Sequence, residues 1–562
     1  MKIALIYPFF LEARIHAEEI AAVPLGLYYV GATLRAHGYE VTILNWHNAD
    51  RSPAAIRTAL DALRPDLIGF SIVHANRWGA VDIAREAKDL KPEVKIVFGG
   101  IGATFLWRHL LTHFNEIDCI IQGEGEAAML ALVRALGAGS EDLSAVPNLI
   151  WRAPEGLRQN APAPPEGDLD ALPPPARYFD FQHLAMTRGC PGRCTFCGSP
   201  RFWGRKVRTH SADYMLEQLE LLLARGVTHF YLSDDTFTLQ PRRVIELCRG
   251  IVERSLMISW QAISRVNAVN AEMLAWMRKA GCVQISYGVE SGSPVIRRRL
   301  CKDIDEDHIL RAFDLTVRYG ILARAYFIYG APGESDDTIA ATLALIRRIR
   351  PLAAIFYVMT LFPGTDLYDE YLQRSGSGDD IWLQRVEDLL YFETDPALTP
   401  DRVLAFGRRL RTVYHGWLPE FAAGIELADA PGLHAGQADF LSRLALTFSH
   451  GDYARVVERS QGRQTARRLF ERALTLHPDQ RAFWGLALLY QEDALWQQAE
   501  ELLHQALHHH PDSPLVHLRL AIGHMQKGDY RRAVEHLRPF QHSPDVAPYL
   551  EECRRRLGES AT

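Results

Sequence analysis

The chain has little net charge and no long apolar segment. Its 562 residues include 62 Lys and Arg and 68 Asp and Glu, which gives a net charge of -6. A protein that binds mainly nucleic acid needs concentrated Lys and Arg for the phosphates, so this balance argues against that class. No uncharged apolar run reaches about 18 residues, so we expect no membrane-spanning helix. With 48% hydrophobic residues, the length predicts three or four domains, each with its own core.

Cysteine is scarce as well, with 8 residues in the whole chain, yet three of them stand close together. Cys190, Cys194 and Cys197 form the pattern C-x3-C-x2-C. A structural zinc ion and a ferredoxin-type cluster each take four protein ligands, whereas three cysteines indicate a 4Fe-4S cluster with one iron open to another molecule. The alternatives are incidental thiols or half of a zinc site. We expect the remaining cysteines to be buried small hydrophobic residues: Cys119, Cys248, Cys282, Cys301 and Cys553.

Residues 1–139 alternate short apolar strands with amphipathic helical stretches, and the opening residues predict a first strand rather than a signal peptide. The predicted strands are 2–7, 41–46, 66–73, 95–98 and 118–122. This alternation predicts an α/β domain with a parallel, doubly wound, Rossmann-like sheet whose ligand lies beyond the carboxyl ends of the strands. No single loop there is specific, so a nucleotide-binding or ligand-free module is the alternative. The candidate ligand-binding residues, several of them glycines that let the backbone approach a ligand, are Gly26, Ser71, Gly99, Gly100, Gly123 and Glu124.

A connector and a second βα alternation follow. Residues 140–181 are rich in proline, which cannot build the interior of a sheet, so they are predicted to form a stiff tether. Residues 182–397 return to the βα pattern and predict six further units. Their predicted strands lie near 183–187, 228–235, 259–265, 283–290, 323–330 and 353–362.

Helical periodicity begins at residue 398 and becomes repetitive from residue 438. Residues 398–437 are predicted to form a helical extension, and residues 438–562 a set of helical repeats. The repeat period, with small residues where two helices cross, resembles tetratricopeptide repeats, which usually bind peptides or proteins. A structural cap or a dimerisation element is the alternative. Four residues recur after a shift of 34 positions: Leu486, Ala487, Ala499 and Leu503 as Leu520, Ala521, Ala533 and Leu537.

The cysteine spacing, with the aromatic Phe196 just before the last cysteine, resembles the radical S-adenosylmethionine (SAM) superfamily, in which the open iron chelates SAM. Together with the preceding Rossmann-like segment, it resembles the cobalamin-dependent branch, which includes anaerobic magnesium-protoporphyrin ester cyclase and the radical C- and P-methylases. The resemblance does not extend to the repeats. It implies three cofactors, namely a 4Fe-4S cluster, SAM and cobalamin, with Phe196 close to them. For residues 182–397 it implies a partial (β/α)6 TIM barrel with its site at the carboxyl ends of the strands.

The resemblance also implies which residues contact the polar end of SAM. Asp234 and Asp235 occupy the end of the second barrel strand, where the family binds the SAM amino group, although often through a Gly-Gly-Glu run. Arg265 closes the third strand and is expected to pair with the SAM carboxylate. Lys302 also fits the family, but we assign it no catalytic role.

The nucleoside end of SAM is assigned in the same way. Glu290 and Ser291 match the family's ribose-binding position. Ile328 and Gly330 match the stretch that lies along adenine. For each residue, a helix cap or a tight turn is the alternative explanation.

Cobalamin domains that coordinate cobalt from below carry D-x-H-x-x-G after the first strand, and residues 7–16 lack this pattern. His16 and His47 are therefore expected on the surface or in a helix, and the corrin is expected to have no histidine below it. Ser71 and the pair Gly99 and Gly100 match the family's serine and Gly-Gly beside the nucleotide tail. The loop 74–78, with Trp78, is the candidate for the lower face of the corrin, and a solvated loop is the alternative. A relic domain that no longer binds cobalamin is also possible.

The function that this resemblance implies is methylation of an unactivated carbon through a 5'-deoxyadenosyl radical and methylcobalamin. A cyclase or oxidase without methyl transfer shares the same motifs and is the first alternative. A repeat-based scaffold with a degenerate enzyme domain is the second, and the intact cysteine triad argues against it. Expected partners are a small-molecule, peptide or carrier-bound substrate, an electron donor such as flavodoxin or ferredoxin, and a protein or peptide bound by the repeats. Free thiols and an oxygen-sensitive cluster suit a cytoplasmic location.

Overall fold

The N-terminal domain is built on a seven-stranded sheet. The computed structural model describes residues 1–11 and 23–558. The strands are β1 (Lys2–Tyr7), β2 (Glu40–Asn45), β3 (Leu67–Ser71), β4 (Lys95–Gly99), β5 (Cys119–Ile121), β6 (Leu149–Ala153) and β7 (Gly156–Gln159). The helices between them are α1 (Leu25–Ala36), α2 (Pro53–Leu63), α3 (Arg77–Leu90), α4 (Gly100–His113) and α5 (Glu126–Gly137).

The strand order is β2-β1-β3-β4-β5-β6-β7, with β1 to β5 parallel. Leu5, Ile68 and Ile96 are fully buried in three neighbouring strands, because helices cover both faces of the sheet. The chain crosses from one side of β1 to the other between β2 and β3. In open α/β sheets, ligands bind beyond the carboxyl ends of the strands at such a reversal. The predicted doubly wound sheet is confirmed.

The sheet continues beyond residue 139, where the sequence predicts a connector. β6 pairs antiparallel with β5, and β7 pairs antiparallel with β6. Leu149 and Ile150 are fully buried in β6. The strand therefore covers an edge of the sheet that would otherwise expose apolar side chains and unpaired backbone groups.

The second domain contains six parallel strands in the order β8-β11-β12-β13-β14-β15. Because β8 and β15 are free edges, the sheet forms the predicted partial (β/α)6 barrel. Its strands are β8 (His183–Leu184), β11 (His229–Leu232), β12 (Ser259–Ser264), β13 (Cys282–Glu290), β14 (Leu322–Tyr329) and β15 (Ala353–Val358), and a separate hairpin pairs β9 (Thr187–Arg188) with β10 (Arg208–Thr209). Its helices are α6 (Ser199–Phe202), α7 (Ala212–Leu223), α8 (Pro241–Glu253), α9 (Ala271–Lys279), α10 (Pro294–Arg299), α11 (Glu306–Arg318), α12 (Asp336–Ile349) and α13 (Asp366–Ser375).

The regular structure described between residues 400 and 558 consists of helices. They are α14 (Pro400–Ala423), α15 (His434–Ser449), α16 (Arg459–Leu476), α17 (Gln480–Glu492), α18 (Trp496–His509), α19 (Pro514–Gln526), α20 (Tyr530–Leu537) and α21 (Ala547–Leu557). Apolar residues of α15, α16 and α17 belong to the same hydrophobic core as the barrel, whereas α18 to α21 pack around two smaller cores, one of which includes Phe483 and Ala487 of α17. The predicted boundary at residue 437 is therefore not a gap in packing. Arg278 reinforces the contact there, since it donates to Gly436 O at 2.6 Å and pairs with Asp439 at 2.6 Å.

Within residues 1–11 and 23–558, no helix combines the length and apolar character that crossing a membrane requires. The prediction for the scattered cysteines is correct for Cys119, Cys248, Cys282 and Cys553, which are buried. It is wrong for Cys301, which is exposed. This residue follows α10 at a φ of +48°, where the chain turns outward.

Candidate active site

The predicted cluster cysteines lie in one loop, residues 189–198, directly after β9; we call it the cluster loop. A Cβ placed on Gly192 would lie 3.3 Å from the sulfur of Cys190 and 3.9 Å from that of Cys194, so both thiols face the same glycine. Backbone hydrogen bonds hold the loop to the barrel, from Thr195 N to Leu300 O and from Leu367 N to Thr195 O. The sequence folds the loop this way because Gly189 adopts a φ of +105° against the carbonyl of Lys206.

The three cysteines of the cluster loop are free and half-buried. Three cysteine ligands leave one iron of a 4Fe-4S cluster without a protein ligand. Burial raises the pKa of Cys197 to about 11 and also raises that of Cys194. These thiols therefore need bound metal to become the thiolates that ligate it.

Two cationic side chains stand beside the cluster loop. Nη1 of Arg265 would lie 3.2 Å from a Cβ on Gly192, and Nη2 donates to Asp303 O at 3.1 Å. Lys302 and Arg265 both act to lower the pKa of Cys194 against the larger effect of burial. The structure therefore places both Arg265 and Lys302 beside the cluster loop, and the pairing of Arg265 with the SAM carboxylate stays a prediction.

Lys302 is the functional residue to which the sequence analysis gives no role. Its Nζ lies 2.7 Å from Oε1 of Glu290, and both side chains are 8% exposed. Glu290 has a φ of +67°, and a Cβ on Gly288 would lie 2.4 Å from its Oε1. This buried ion pair therefore depends on a glycine two residues earlier. One feature of the sequence could have drawn attention to this residue, because Lys302 is the single lysine between residues 280 and 526.

The two predicted aspartates have different surroundings. Asp234 is 1% exposed and accepts hydrogen bonds from Met186 N at 3.2 Å and from both Thr187 N and its hydroxyl at 2.6 Å. Burial raises the pKa of Asp234 to about 6 although these donors lower it. Asp235 instead lines a cavity and accepts a hydrogen bond from Ser199 Oγ. Asp234 thus holds the strand before the cluster loop, and Asp235 is the carboxylate available to a ligand.

The residues assigned to the nucleoside end of SAM have strong local partners. Ser291 is 1% exposed, and its hydroxyl accepts from Ser293 N at 3.1 Å. Gly330 has a φ of +76°, and a Cβ there would lie 2.8 Å from Val403 in α14. Ile328 is half-buried, as is Phe196 in the cluster loop, and both pack against the main core. Ser291 and Gly330 are therefore explained by the fold without a ligand.

A cavity lies at the carboxyl ends of the N-terminal strands, at the reversal of the sheet. Predicted ligand-binding residues from four strand ends line it together: Gly26, Ser71, Gly99, Gly100, Gly123 and Glu124. Gly100 has a φ of +87°, and a Cβ there would lie 2.8 Å from Ile72 O, so this position requires glycine. None of the described residues that line the cavity is a histidine. That cobalt has no histidine below it stays a prediction, because His16 lies outside the described residues.

The opposite wall of this cavity comes from the barrel domain. It consists of Ser199, Phe202, Trp203 and Asp235. The two domains also touch at the cluster loop, where a Cβ on Gly198 would lie 3.3 Å from Ile101 Cδ1 in α4. Because Gly198 directly follows Cys197, the cobalamin side and the cluster side of the molecule are in contact.

Buried ion pairs join the same two walls. Arg188, the last residue of β9, lies 3.2 Å from Glu124 and 2.6 Å from Glu126, and Arg208 in β10 also pairs with Glu124. All four side chains are between 7% and 12% exposed. Glu124, predicted to bind a cofactor, therefore connects the loop after β5 to the hairpin beside the cluster loop.

The structure does not bring Trp78 to the cavity. Its indole N–H donates to Gln384 O at 2.8 Å, and its neighbour Arg77 donates to Trp382 O and Gln384 O. Side chains of the loop 74–78 instead bind backbone carbonyls of the segment after α13, which holds α3 to that segment. His47 is buried beside Phe10 and does not line the cavity, so its predicted surface or helical position is wrong. His16 lies outside the described residues.

Comparisons with known proteins agree with this arrangement. The Radical SAM superfamily model matches residues 184–346, the B12 binding domain model residues 20–133 and a tetratricopeptide repeat model residues 491–542. An uncharacterized methyltransferase of Pyrococcus horikoshii is 30% identical over 381 residues, which cover 66% of this chain and 83% of that protein. The anaerobic magnesium-protoporphyrin IX monomethyl ester cyclase of Rubrivivax gelatinosus is 29% identical over 384 residues, which cover 64% of this chain and 69% of that protein.

A solved structure has the same fold. The radical SAM methyltransferase TsrM of Kitasatospora setae, determined with cobalamin and a 4Fe-4S cluster bound, superposes with a TM-score of 0.61 at 18% identity, covering 84% of this chain and 100% of that one. The cofactors of the present chain are accordingly a 4Fe-4S cluster, SAM and cobalamin. With its B12 binding domain, its three-cysteine cluster loop and its C-terminal repeats, this chain belongs to the cobalamin-binding radical SAM enzyme family.

Proposed function

We propose that this enzyme methylates an unactivated carbon atom. The observation that supports this most is the shared cavity, which has the strand-end loops of the B12 binding domain on one wall and Ser199, Phe202, Trp203 and Asp235 on the other. When bound, the cluster and SAM supply the radical that removes a hydrogen atom, and cobalamin supplies the methyl group. A substrate in the shared cavity would be in reach of both, which is the positioning that such a two-step transfer needs.

The residues around the cluster loop have defined tasks in this proposal. Arg265 would bind the carboxylate of SAM, since its guanidinium already lies against Gly192 between two cluster cysteines. Asp235 would accept hydrogen bonds from the SAM amino group. Lys302 and Arg265 would favour the thiolate of Cys194, and Lys302 holds Glu290 at the end of β13. Phe202 and Trp203 exclude water from the side of the cavity nearest the cluster loop.

Counting the products of SAM tests this function without a known substrate. Holoenzyme that has been reduced under anaerobic conditions should convert SAM both to S-adenosylhomocysteine, by methyl transfer, and to 5'-deoxyadenosine, by reductive cleavage. Mass spectrometry quantifies both products in one reaction. A matched reaction without cobalamin should lose the first product and keep the second.

A cyclase or oxidase is the second candidate, because the cyclase of Rubrivivax gelatinosus is nearly as similar to this chain as the methyltransferase of Pyrococcus horikoshii. Such an enzyme would use cobalamin without transferring a methyl group. Formation of 5'-deoxyadenosine with no S-adenosylhomocysteine, from enzyme that contains cobalamin, would support this candidate and contradict methyl transfer.

We also infer two protein partners. Arg193, Arg205 and Lys206 are exposed around the cluster loop, and this positive charge suits an acidic electron donor such as flavodoxin or ferredoxin. The helices α18 to α21 pack around two small cores, one of them shared with α17, and neither core belongs to the barrel. That separation supports a role in binding a peptide, a protein or a carrier-bound substrate.

A further inference from the structure

Two histidines and an aspartate meet far along α4 from the cobalamin cavity. His109 and His113 are four residues apart, so they lie on the same face of the helix. Asp380 belongs to a short 3-10 helix, Asp379–Leu383, that follows α13. One potential ligand atom from each of these three residues lies within 4.8 Å of the other two.

Their distances suit a bound ion better than direct hydrogen bonds. Nε2 of His113 lies 3.7 Å from Oδ1 of Asp380, which is too long for a hydrogen bond. Two ligands of a tetrahedral zinc ion, with bonds of about 2.0–2.1 Å, are separated by about 3.4 Å. The two rings are also close, with 4.9 Å between their centroids. A small contraction would bring all three atoms into one coordination sphere.

A second observation points to a ligand at this place. His109 is only 4% exposed, and its Nε2 is buried with no hydrogen-bond partner. Buried polar side-chain atoms in proteins nearly always have a partner, so this nitrogen requires an explanation. Metal coordination supplies one, because a neutral imidazole is the commonest metal ligand in proteins.

We propose that His109, His113 and Asp380 bind one divalent transition-metal ion of the Zn²⁺ class. Imidazole and carboxylate ligands suit this class, and the side chains of His113 and Asp380, which are 34% and 76% exposed, leave room for water at the fourth position. The ion would join the carboxyl end of α4 to the segment after α13. Because the amino end of α4 carries Gly100 at the cobalamin cavity, the ion would fix the direction of a helix that contributes to that cavity.

Other contacts already join the segment after α13 to α3, the helix that precedes α4 in the chain. Arg385 forms a bidentate pair with Asp82 in α3, at 3.0 and 2.7 Å. Arg77 donates to the carbonyls of Trp382 and Gln384. The metal ion would therefore join α4 to a segment that α3 already holds in place, and its role would be structural.

Zinc binding to the holoenzyme tests this site. Protein loaded with cluster and cobalamin should retain about one zinc per chain after addition of Zn²⁺ and desalting, as measured by mass spectrometry of the metal. His113→Ala and Asp380→Asn should each lower the affinity at least tenfold, which is the smaller end of the loss seen when even an outer-shell partner is removed. Both side chains are accessible to solvent, so the variants should keep their cluster and cobalamin absorbance.

His308→Ala is the matched control, because His308 and Asp305 form an exposed pair at 2.7 Å with no third ligand grouped with them among the described residues. This variant should bind zinc as the unmodified protein does. X-ray absorption at the zinc edge should detect nitrogen and oxygen ligands at about 2.0–2.1 Å. Sulfur ligands, or unchanged affinity in both His113→Ala and Asp380→Asn, would overturn the proposal. Neither measurement depends on enzyme activity.

Discussion

The buried ion pairs between Arg188, Arg208, Glu124 and Glu126 give the sharpest prediction of energetics. Replacing Arg188 with Met keeps most of the volume that packs against the rings of Tyr29 and Trp203, at 4.8 and 5.2 Å from the guanidinium. Glu124 keeps Arg208, whereas Glu126 loses the cation that the structure gives it at 2.6 Å. Removing one partner of a buried pair costs about 3–5 kcal/mol, so Arg188→Met should lose that much unfolding free energy.

Urea unfolding of the full chain, followed by tryptophan fluorescence, measures this loss. The double variant Arg188→Met/Glu126→Met removes both charges and should recover most of the stability, since an apolar replacement of a whole pair is often neutral. Arg299→Met is the matched control, because Arg299 and Glu370 also lie 2.6 Å apart but are 45% and 47% exposed. Arg299→Met should lower the free energy of unfolding by about 0–1 kcal/mol. If Arg188→Met is no worse than Arg299→Met, the ion pairs do not hold the two domains together.

Four further changes test other parts of the account. Cys194→Ala should abolish 5'-deoxyadenosine formation while Cys301→Ala leaves it intact, and reductive cleavage by the Cys194 variant would refute the cluster assignment. Gly100→Val should lower the cobalamin content of the purified protein, because a Cβ there would lie 2.8 Å from Ile72 O. Gly137→Val is the control and should not lower it, because a Cβ there has no atom within 4 Å. Equal cobalamin content in both variants would refute the site. Burial and the nearby charge of Arg77 lower the pKa of His74 to about 3. Below pH 6.5 the native state therefore binds fewer protons than the unfolded state, and the free energy of unfolding falls as the pH decreases. At pH 5, His74→Phe should therefore avoid a loss of about 2 kcal/mol relative to pH 7.5, and parallel pH profiles of urea unfolding would contradict this. A protein truncated after α17 should be soluble and retain its cofactors. A protein truncated before α15 should aggregate, because the core that these helices share with the barrel becomes exposed. The opposite result would refute the division between shared and separate cores.

The cofactor loops were predictable because their signals are local. A glycine or serine directly after an apolar strand is visible in the sequence, and parallel strands bring such residues to one edge of a sheet. Ser71, Gly99 and Gly123 therefore meet at the cavity, where Gly26 of α1 joins them. The cysteine spacing is local in the same sense.

Contacts between domains were not predictable in the same way. Arg77 and Trp78 bind backbone carbonyls, and every residue has such a carbonyl, so no sequence pattern identifies the partner. The pairing of Lys302 with Glu290 depends on where a helix and a strand end in space. Likewise, helical periodicity predicts α15 to α17 but not that their apolar faces join the barrel core.

Transfer of a labelled methyl group tests the central claim most directly. SAM with a ¹³C-methyl group is added to reduced holoenzyme in the absence of substrate. The cobalamin is then extracted, and its mass is measured by mass spectrometry. If the enzyme is a methyltransferase with cobalamin in the shared cavity, about one label per cobalamin should be recovered together with S-adenosylhomocysteine. Enzyme that binds cobalamin and cleaves SAM to 5'-deoxyadenosine, yet leaves the cobalamin unlabelled, would contradict the account.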